Sequence, residues 1–344
     1  MQCVLALWVS AASLGAATDS GAVAEANAGL ELARQGKYEL AIPHYQAAIK
    51  QDPHLPGLYL NLGLAYFKLN RLPQAASAFE QAVQADPSSF QARTLLGMSY
   101  YGTRRFDAAA AQLKLAAADQ PENLELRYKL AQTYMWSKQY QAATDEFRFL
   151  LAKNPDSAPV HMLLGEVLDA ADREDQATAE FEAAAKASPH EPQVHFGLGY
   201  LYWKQKRYAE ARREFQAELA NQPKDNQTLT YLGDAEMHAG REKESAEHLR
   251  QALELDPNIR LAHLDMGLLL ASGNDPQGAE QHYRDAIRID PSKPDAHYDL
   301  ARLLRSLGRK QEADSEFAKV EELAQEKPPQ PLIEVPGHRG EPGP

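Results

Sequence analysis

The sequence predicts an all-α solenoid of about nine helical hairpins, and three regularities within its 344 residues carry this prediction. A proline returns every 34 residues from Pro53 to Pro291. A glycine or alanine keeps the same interval from Gly29 to Ala301. One further position of each interval holds a small residue, and another holds a large one. A period of this length is typical of stacked supersecondary units, each of which contacts only its neighbours.

Each interval is predicted to contain two helices. In the first helix a Leu-Gly pair is followed by an aromatic residue, as in Leu62, Gly63 and Tyr66, and in the second a small residue precedes a large one, as in Ala75 and Phe79. Spacings of three and four put these groups on one helical stripe. Small residues permit close contact and large ones fill the space beside it. Each interval is therefore predicted to form a helix-turn-helix.

This pattern resembles the tetratricopeptide repeat (TPR), and the resemblance implies a right-handed superhelical solenoid. It covers residues 22–325 in nine units, within which positions are counted from 1: 22–55, 56–89, 90–123, 124–157, 158–191, 192–225, 226–259, 260–293 and 294–325. Residues 1–21 are interpreted as a signal peptide and linker. Residues 326–344 are interpreted as a flexible tail, because residues 327–344 contain six prolines and three glycines, which cannot sustain a helix.

Prolines at helix starts and inside one helix give local predictions. Pro43 falls inside the second helix of repeat 1, so that helix is predicted to be kinked or to start late. Pro73 and Pro276 fall near the starts of second helices, and Asp275 is predicted as an N-cap. Four further prolines are predicted to open first helices: Pro56, Pro159, Pro192 and Pro294.

The N-terminus has the features of an export signal. Residues 1–18 contain no Lys, Arg, Asp or Glu, and residues 4–9 are continuously apolar. We expect an exported protein, periplasmic or secreted. An uncleaved anchor, which would associate the protein with a membrane, and a cytoplasmic protein with an ordinary N-terminus are the alternatives. The single cysteine, Cys3, excludes a disulfide within the chain and a cysteine-based zinc site.

Composition and motifs argue against nucleic-acid binding and catalysis. The formal net charge is -12, whereas binding to polyanions relies on clustered Lys and Arg. No Walker loop, His-Glu-x-x-His or Gly-x-Ser-x-Gly motif is present, and Gly197-Leu198-Gly199 falls inside a predicted helix. We therefore predict a non-enzymatic protein without a cofactor.

Four histidines recur at position 4 of repeats 5, 6, 8 and 9. They are His161, His195, His263 and His297. Imidazole is a common metal ligand, so a metal pair is conceivable. The TPR resemblance implies packing at this position instead, and no acidic or cysteine ligand stands in register. We interpret these histidines as packing residues and predict no metal site.

The TPR resemblance also implies where a partner would bind. In that family positions 2, 5, 9, 12 and 13 line a concave groove. The groove residues predicted in this chain are Leu60, Leu64, Phe67, Met98, Tyr101, Tyr128, Gln132, Met135, Trp136, Met162, Glu166, Asp169, Phe196, Tyr200, Trp203 and Asp234. Aromatic residues and methionine are typical of binding surfaces. Packing of these side chains against the neighbouring helix is the alternative.

The predicted function is a scaffold or adaptor that binds a peptide or protein segment in this groove. The expected anchors are Phe67, Tyr101, Tyr128, Trp136, Phe196, Tyr200 and Trp203, and the acidic residues of repeats 5 to 7 favour a segment with a basic group. The Lys and Asn pattern with which some TPR proteins clamp a C-terminal carboxylate is absent. An accessory or substrate-recruiting subunit of a polymer-modifying enzyme, such as a glycosyltransferase complex, is the alternative function. Self-association through the end repeats is a third possibility.

Overall fold

A computed structural model describes residues 21–326 and confirms the predicted all-α fold. These residues form 18 helices and contain no strand. The first helices of the nine repeats, called A helices below, are α1 (Gly21–Arg34), α3 (Leu58–Lys68), α5 (Phe90–Gly102), α7 (Leu124–Trp136), α9 (Ala158–Ala170), α11 (Val194–Lys204), α13 (Asn226–His238), α15 (Arg260–Ser272) and α17 (Pro294–Ser306).

The second helices, called B helices, keep the 34-residue interval. They are α2 (Tyr38–Gln51), α4 (Leu72–Ala85), α6 (Phe106–Asp119), α8 (Tyr140–Lys153), α10 (Glu174–Ala187), α12 (Tyr208–Asn221), α14 (Glu242–Leu255), α16 (Pro276–Ile289) and α18 (Lys310–Glu326). The described residues divide into two compact units, 21–146 and 147–326. Within each unit consecutive helices pack against each other.

The turn between the helices of every repeat contains one residue in the left-handed conformation, at position 15. Its φ lies between 56° and 79°. The next residue donates its N–H to a carbonyl five residues earlier, as Arg207 does to Tyr202 at 2.8 Å. This pattern ends an α-helix and turns the chain back. The nine residues are Gly36, Asn70, Arg104, Lys138, Asp172, Lys206, Gly240, Asn274 and Gly308.

The two helices of a repeat approach each other closely where the glycine of the A helix meets the large residue of the B helix. A Cβ atom added to Gly199 would lie 2.7 Å from the ring of Phe215, and one added to Gly63 would lie 2.5 Å from that of Phe79. Both rings are completely buried. Because an ordinary contact of this kind is 3.4 to 4 Å, the ring fills the space that a side chain at the glycine would take.

The position 4 histidines link the two helices of their repeats through polar contacts. Nδ1 of His161 lies 2.6 Å from Glu180, and its Nε2 lies 2.8 Å from the carbonyl of Pro155. His195 and His297 make the same contact with a position 23 glutamate. Arg127, at position 4 of repeat 4, pairs with Glu146 in the same way.

Repeat 8 differs, because position 23 is a histidine. His263 and His282 face each other with their Nδ1 atoms 3.0 Å apart. Burial and the neighbouring His263 lower the pKa of His282. One of the two nitrogens must donate and the other accept, so this link lacks the charge that a carboxylate brings to it in repeats 5, 6 and 9.

Two local predictions are wrong. The second helix of repeat 1 does not start late, because α2 is one helix from Tyr38 and begins in register with the other B helices, although it contains Pro43. Pro56 and Pro192 do not open A helices: α3 and α11 begin two residues later, after Gly57 and Gln193 in the left-handed conformation. These two helices are accordingly shorter than the other A helices.

The remaining local predictions are confirmed. Asp275 caps α16 by accepting the N–H of Gly278 at 3.0 Å. Pro73 and Pro276 lie in the first turns of their B helices, as Pro159 and Pro294 do in their A helices. No helix between residues 21 and 326 is both long and apolar enough to cross a membrane. Residues 1–20 and 327–344, which include most of the predicted signal segment and the tail, lie outside the described residues, so export stays a prediction.

Because of the close approach at Gly199, we expect its replacement by alanine to lower the unfolding free energy, although such a change inside a helix usually raises it. The higher helix propensity of alanine alone would stabilise the fold by about 1 kcal/mol. We expect Gly199→Ala to destabilise it by about 1–3 kcal/mol in urea unfolding, because the ring of Phe215 has no free space to move into. The control is Gly102→Ala, whose methyl meets only the side chain of Leu72, which is partly exposed. Equal effects of the two changes would contradict this explanation.

The histidine pair of repeat 8 yields a second stability prediction. His282→Glu should raise the unfolding free energy at pH 7 by roughly 0.5–1.5 kcal/mol, because a carboxylate accepts a stronger hydrogen bond from His263. The reciprocal control is Glu180→His, which should lower it by a similar amount. Thermal unfolding of both variants tests the idea, and a loss of stability in His282→Glu would refute it.

Candidate functional site

In the unit of residues 21–146 the predicted groove residues form a partly exposed surface. All nine are half-buried: Leu60, Leu64, Phe67, Met98, Tyr101, Tyr128, Gln132, Met135 and Trp136. Leu60, Leu64, Phe67 and Tyr101 pack at the edge of the core that contains Phe79. A polypeptide could therefore contact apolar groups here that are held by the core.

Phe106 and Lys129 join this surface, although neither was predicted. The ring of Phe106, at the start of α6, stacks on Trp136 at 5.9 Å between centroids and meets Tyr101 edge-on at 5.5 Å. Lys129 Nζ lies 4.6 Å from the ring centroid of Tyr101 and donates to Gln132 at 2.9 Å. Burial lowers the pKa of Lys129. The surface of this unit thus combines aromatic rings with one partly buried amine.

In the unit of residues 147–326 an aromatic cluster occupies the A helices of repeats 6 and 7. The ring of Tyr200 stacks near those of Phe196 and Trp203, with centroids 6.4 and 5.8 Å away. Tyr231 meets Tyr200 and Trp203 edge-on at 5.6 and 5.1 Å. Phe196 and Tyr200 are only 2% and 3% exposed, whereas Trp203 and Tyr231 are half-buried. Trp203 and Tyr231 are therefore the rings of this cluster that solvent reaches.

A buried glutamate fixes the start of α11 and with it the aromatic cluster. Glu218, on α12, accepts the backbone N–H of Gln193 at 3.1 Å and that of Phe196 at 3.2 Å. Amides in the first turn of a helix have no partner within the helix. Glu218 therefore compensates for the late start of α11 and holds the backbone of Phe196.

The acidic residues predicted to face a basic partner differ in how far the chain already satisfies them. Lys204 Nζ binds Asp169 at 2.8 Å and Glu174 at 3.0 Å, so Asp169 already has a cation of this chain. Met162 and Glu166 are half-buried on α9. Burial raises the pKa of Glu166 to about 7, so its charge varies near neutral pH.

Asp234 is paired with a second carboxyl group. It accepts the indole N–H of Trp203, and His238 Nε2 lies 3.7 Å from the same oxygen. Asp265, on α15, forms a side-chain hydrogen bond with Asp234. Burial raises the pKa of both groups, and that of Asp265 lies well above its usual range. Because two carboxyl groups in contact at a buried site do not both ionise, the pair retains a proton.

Two residues of this site were missed because both stand at position 6. Tyr231 and Asp265 point from one A helix toward the A helix before it, where they meet Trp203 and Asp234. The groove positions implied by the family do not include position 6. Comparing position 6 across the nine repeats would have found the change from Leu163 to Tyr231 and Asp265.

The last repeat presents a different surface. Tyr298 is 47% exposed and meets Phe317 edge-on at 5.9 Å. Arg302 lies over the ring of Tyr298, and Arg305 lies over Phe317 and pairs with Asp314 at 3.1 Å. The basic character predicted for this repeat is thus partly offset by its own carboxylates.

Comparison with known proteins agrees with this architecture. One family model described as tetratricopeptide repeat matches residues 27–90, 165–226 and 196–258, and a second with the same description matches 100–167 and 269–330. Together they cover most of residues 27–330. No curated protein matches the chain significantly.

Solved structures with the same fold include three with low sequence identity. The C-terminal part of a TPR repeat-containing protein from Cytophaga hutchinsonii is 15% identical, with a TM-score of 0.56 over 69% of this chain and 98% of that one. A tetratricopeptide repeat protein from Parabacteroides merdae is 14% identical, with a TM-score of 0.54 over 72% and 97%. PilW, a type IV pilus biogenesis factor, is 18% identical, with a TM-score of 0.52 over 58% and 93%. At these identities the likeness concerns the fold alone.

The raised pKa of Glu166 predicts how stability depends on pH. From the ordinary value of 4.5 up to about 7, this carboxyl is protonated in the folded chain and ionised in the unfolded one. Its contribution therefore falls as pH rises through that window and is constant above it. Glu166→Gln removes this fall, so we expect the variant to be more stable than the parent at pH 8, by about 1–2 kcal/mol after allowance for partial exposure, and equally stable near pH 4.

Urea unfolding of both chains between pH 4 and pH 8 measures this difference. Glu280→Gln is the control, and its stability should change in the opposite direction, because hydrogen bonds from Arg309 and Arg284 lower the pKa of Glu280. That variant should lose stability at pH 8. A Glu166→Gln chain no more stable than the parent at pH 8 would show that burial does not control this carboxyl.

Proposed function

The chain belongs to the tetratricopeptide repeat family, and from this premise we propose that it is a non-enzymatic scaffold that binds a polypeptide segment on the exposed faces of its A helices. The observation that carries the proposal is the row of half-buried side chains on α3, α5 and α7. Apolar groups that a core holds in place lose little conformational freedom on binding, which favours affinity.

The composition of these surfaces supports a protein or peptide as the partner. Trp136 and Phe106 in one unit, and Trp203 and Tyr231 in the other, present aromatic rings that contact each other. Tryptophan and tyrosine contribute strongly to protein interfaces because they bury a large area at a low entropic cost. The net charge of -12 disfavours nucleic acid.

Replacement of one exposed ring in each unit tests the proposal. Trp136→Ala and Trp203→Ala should each weaken capture of a partner by roughly tenfold or more if that unit contributes a binding hot spot. The full-length chain is immobilised, a protein captured from the source cell is identified and purified, and its dissociation constant is measured with each variant. These two tryptophans are chosen because their rings are partly exposed, whereas Phe196 and Tyr200 are buried.

The matched control is Tyr38→Ala, which removes a half-buried aromatic residue from the start of helix α2, outside the predicted groove. Circular dichroism should show helicity like that of the parent for all three variants. If Trp136→Ala and Trp203→Ala bind the purified partner as tightly as Tyr38→Ala does, the A-helix faces are not the binding surface.

A further inference from the structure

Helices α11, α13 and α15 bring aromatic and acidic side chains together at one place. Trp203 and Tyr231 are partly exposed and meet at 5.1 Å between ring centroids. Asp234 accepts the indole N–H of Trp203 and is hydrogen-bonded to Asp265. Both carboxyl groups are nearly inaccessible, with residue exposures of 4% and 2%. This set of residues is called the acidic-aromatic site below.

Three buried polar atoms at or next to this site have no hydrogen-bond partner in the described chain: the hydroxyl of Tyr200, Oδ2 of Asp265 and Nε of Arg260. The hydroxyl of Tyr200 is buried without one, although Tyr231 and Asp169 lie close enough to affect its ionisation. Oδ2 of Asp265 receives no hydrogen bond from any N–H or hydroxyl group. A buried polar group normally has a partner, and each exception calls for an explanation. A ligand that carries several N–H donors would give both oxygens a hydrogen-bond partner.

The fold does not need carboxyl groups at these positions. Position 9, which holds Asp234, is occupied by Leu64 in repeat 2 and Leu268 in repeat 8, and position 6, which holds Asp265, is occupied by Leu163 in repeat 5. Burying a polar pair where leucine fits lowers stability. The pair is therefore better explained by binding than by folding.

We propose that the acidic-aromatic site binds the arginine or lysine side chain of a partner polypeptide, with the cation against the exposed parts of the Trp203 and Tyr231 rings, next to the carboxyl groups of Asp234 and Asp265. This proposal rests on the proposed function, since it names the chemistry of a segment held by the A helices. Cations are attracted both by aromatic faces and by carboxylates, and attraction is strongest where water is excluded.

The cations of the chain itself do not fill the site. Lys204 is bound to Asp169 and Glu174. Arg260, whose charge lowers the pKa of Asp265, is paired with Asp295. His238 approaches Asp234 only to 3.7 Å and is exposed on its other side. The charge that now balances the carboxyl pair is its shared proton, and a bound cation would replace it.

Replacement of that proton makes binding depend on pH. The titratable and charged groups that face the pair are Tyr208 on α12, Tyr231 and His238 on α13, and Arg260 on α15. Burial holds the pKa of both carboxyl groups above the ordinary range, so protons compete with the cation as pH falls. Affinity should rise with pH by up to about tenfold per unit while one proton is released.

The test uses the full-length chain and a library of random ten-residue peptides whose central residue is fixed as arginine, lysine, glutamine or glutamate. At pH 8 we expect the arginine and lysine sets to be enriched about tenfold over the glutamine set. Asp234→Asn and Asp265→Asn should remove this enrichment while keeping the shape of the site. Asp299→Asn is the matched control, because Asp299 holds position 6 of repeat 9 and burial also raises its pKa. It should behave like the parent.

The pH dependence is measured with the most enriched peptide, and also in a His238→Gln chain, which lacks the imidazole next to Asp234. Affinity should still rise between pH 6 and pH 8 in this chain, and should be flat in Asp265→Asn. A flat profile in His238→Gln, or an enrichment that survives Asp265→Asn, would overturn the assignment to the carboxyl pair.

The peptide library separates this proposal from the proposed function. If glutamine and glutamate peptides bind as well as basic ones, the preference for a cation is wrong, but the A helices still bind peptides. If basic peptides are not retained at all, the acidic-aromatic site is overturned, and the captured partner of the Trp136→Ala and Trp203→Ala experiment then decides independently whether the scaffold function stands.

Discussion

The structure depends on one close approach, repeated in most hairpins, between the glycine of the A helix and a buried large side chain of the B helix. The ring of Phe79 or Phe215 occupies the space that a Cβ atom at the facing glycine would need. Beside it, position 20 of every described repeat is a completely buried alanine or serine. Since close-packed interiors tolerate neither voids nor overlap, this pair sets the distance between the helices of a repeat.

That constraint leaves the exposed face of each A helix free to vary, and the two units use this freedom differently. Residues 21–146 present leucine, methionine and aromatic side chains with one partly buried lysine, Lys129. Residues 147–326 combine aromatic rings with carboxyl groups, of which Asp234 and Asp265 are buried and have raised pKa values. Function on a repeat scaffold is carried by such local sites, since the fold itself prescribes no chemistry.

Different polar side chains join the two helices of a repeat at the same two positions, so the repeat requires a polar link there and not one particular residue. Position 4 joins the helices through histidine in four repeats and through Arg127 in another, and the acceptor is a position 23 glutamate except at His282. Glu218 plays a comparable role by capping α11 after its late start. In contrast, leucine stands in place of Asp234 and Asp265 in other repeats, so the repeat does not require carboxyl groups at these positions.

The 34-residue period by itself determined the helices, their order and most of their ends, because each depends on residues within one repeat. Tertiary structure decided what depends on contacts between repeats. It buried Phe196 and Tyr200, which the period places on the same face as Trp203, and it gave Asp169 a partner in Lys204, 35 residues away. It also brought Tyr231 and Asp265 into the site. A period specifies which face a side chain occupies, but its exposure and charge state depend on the residues that the next helix places against it.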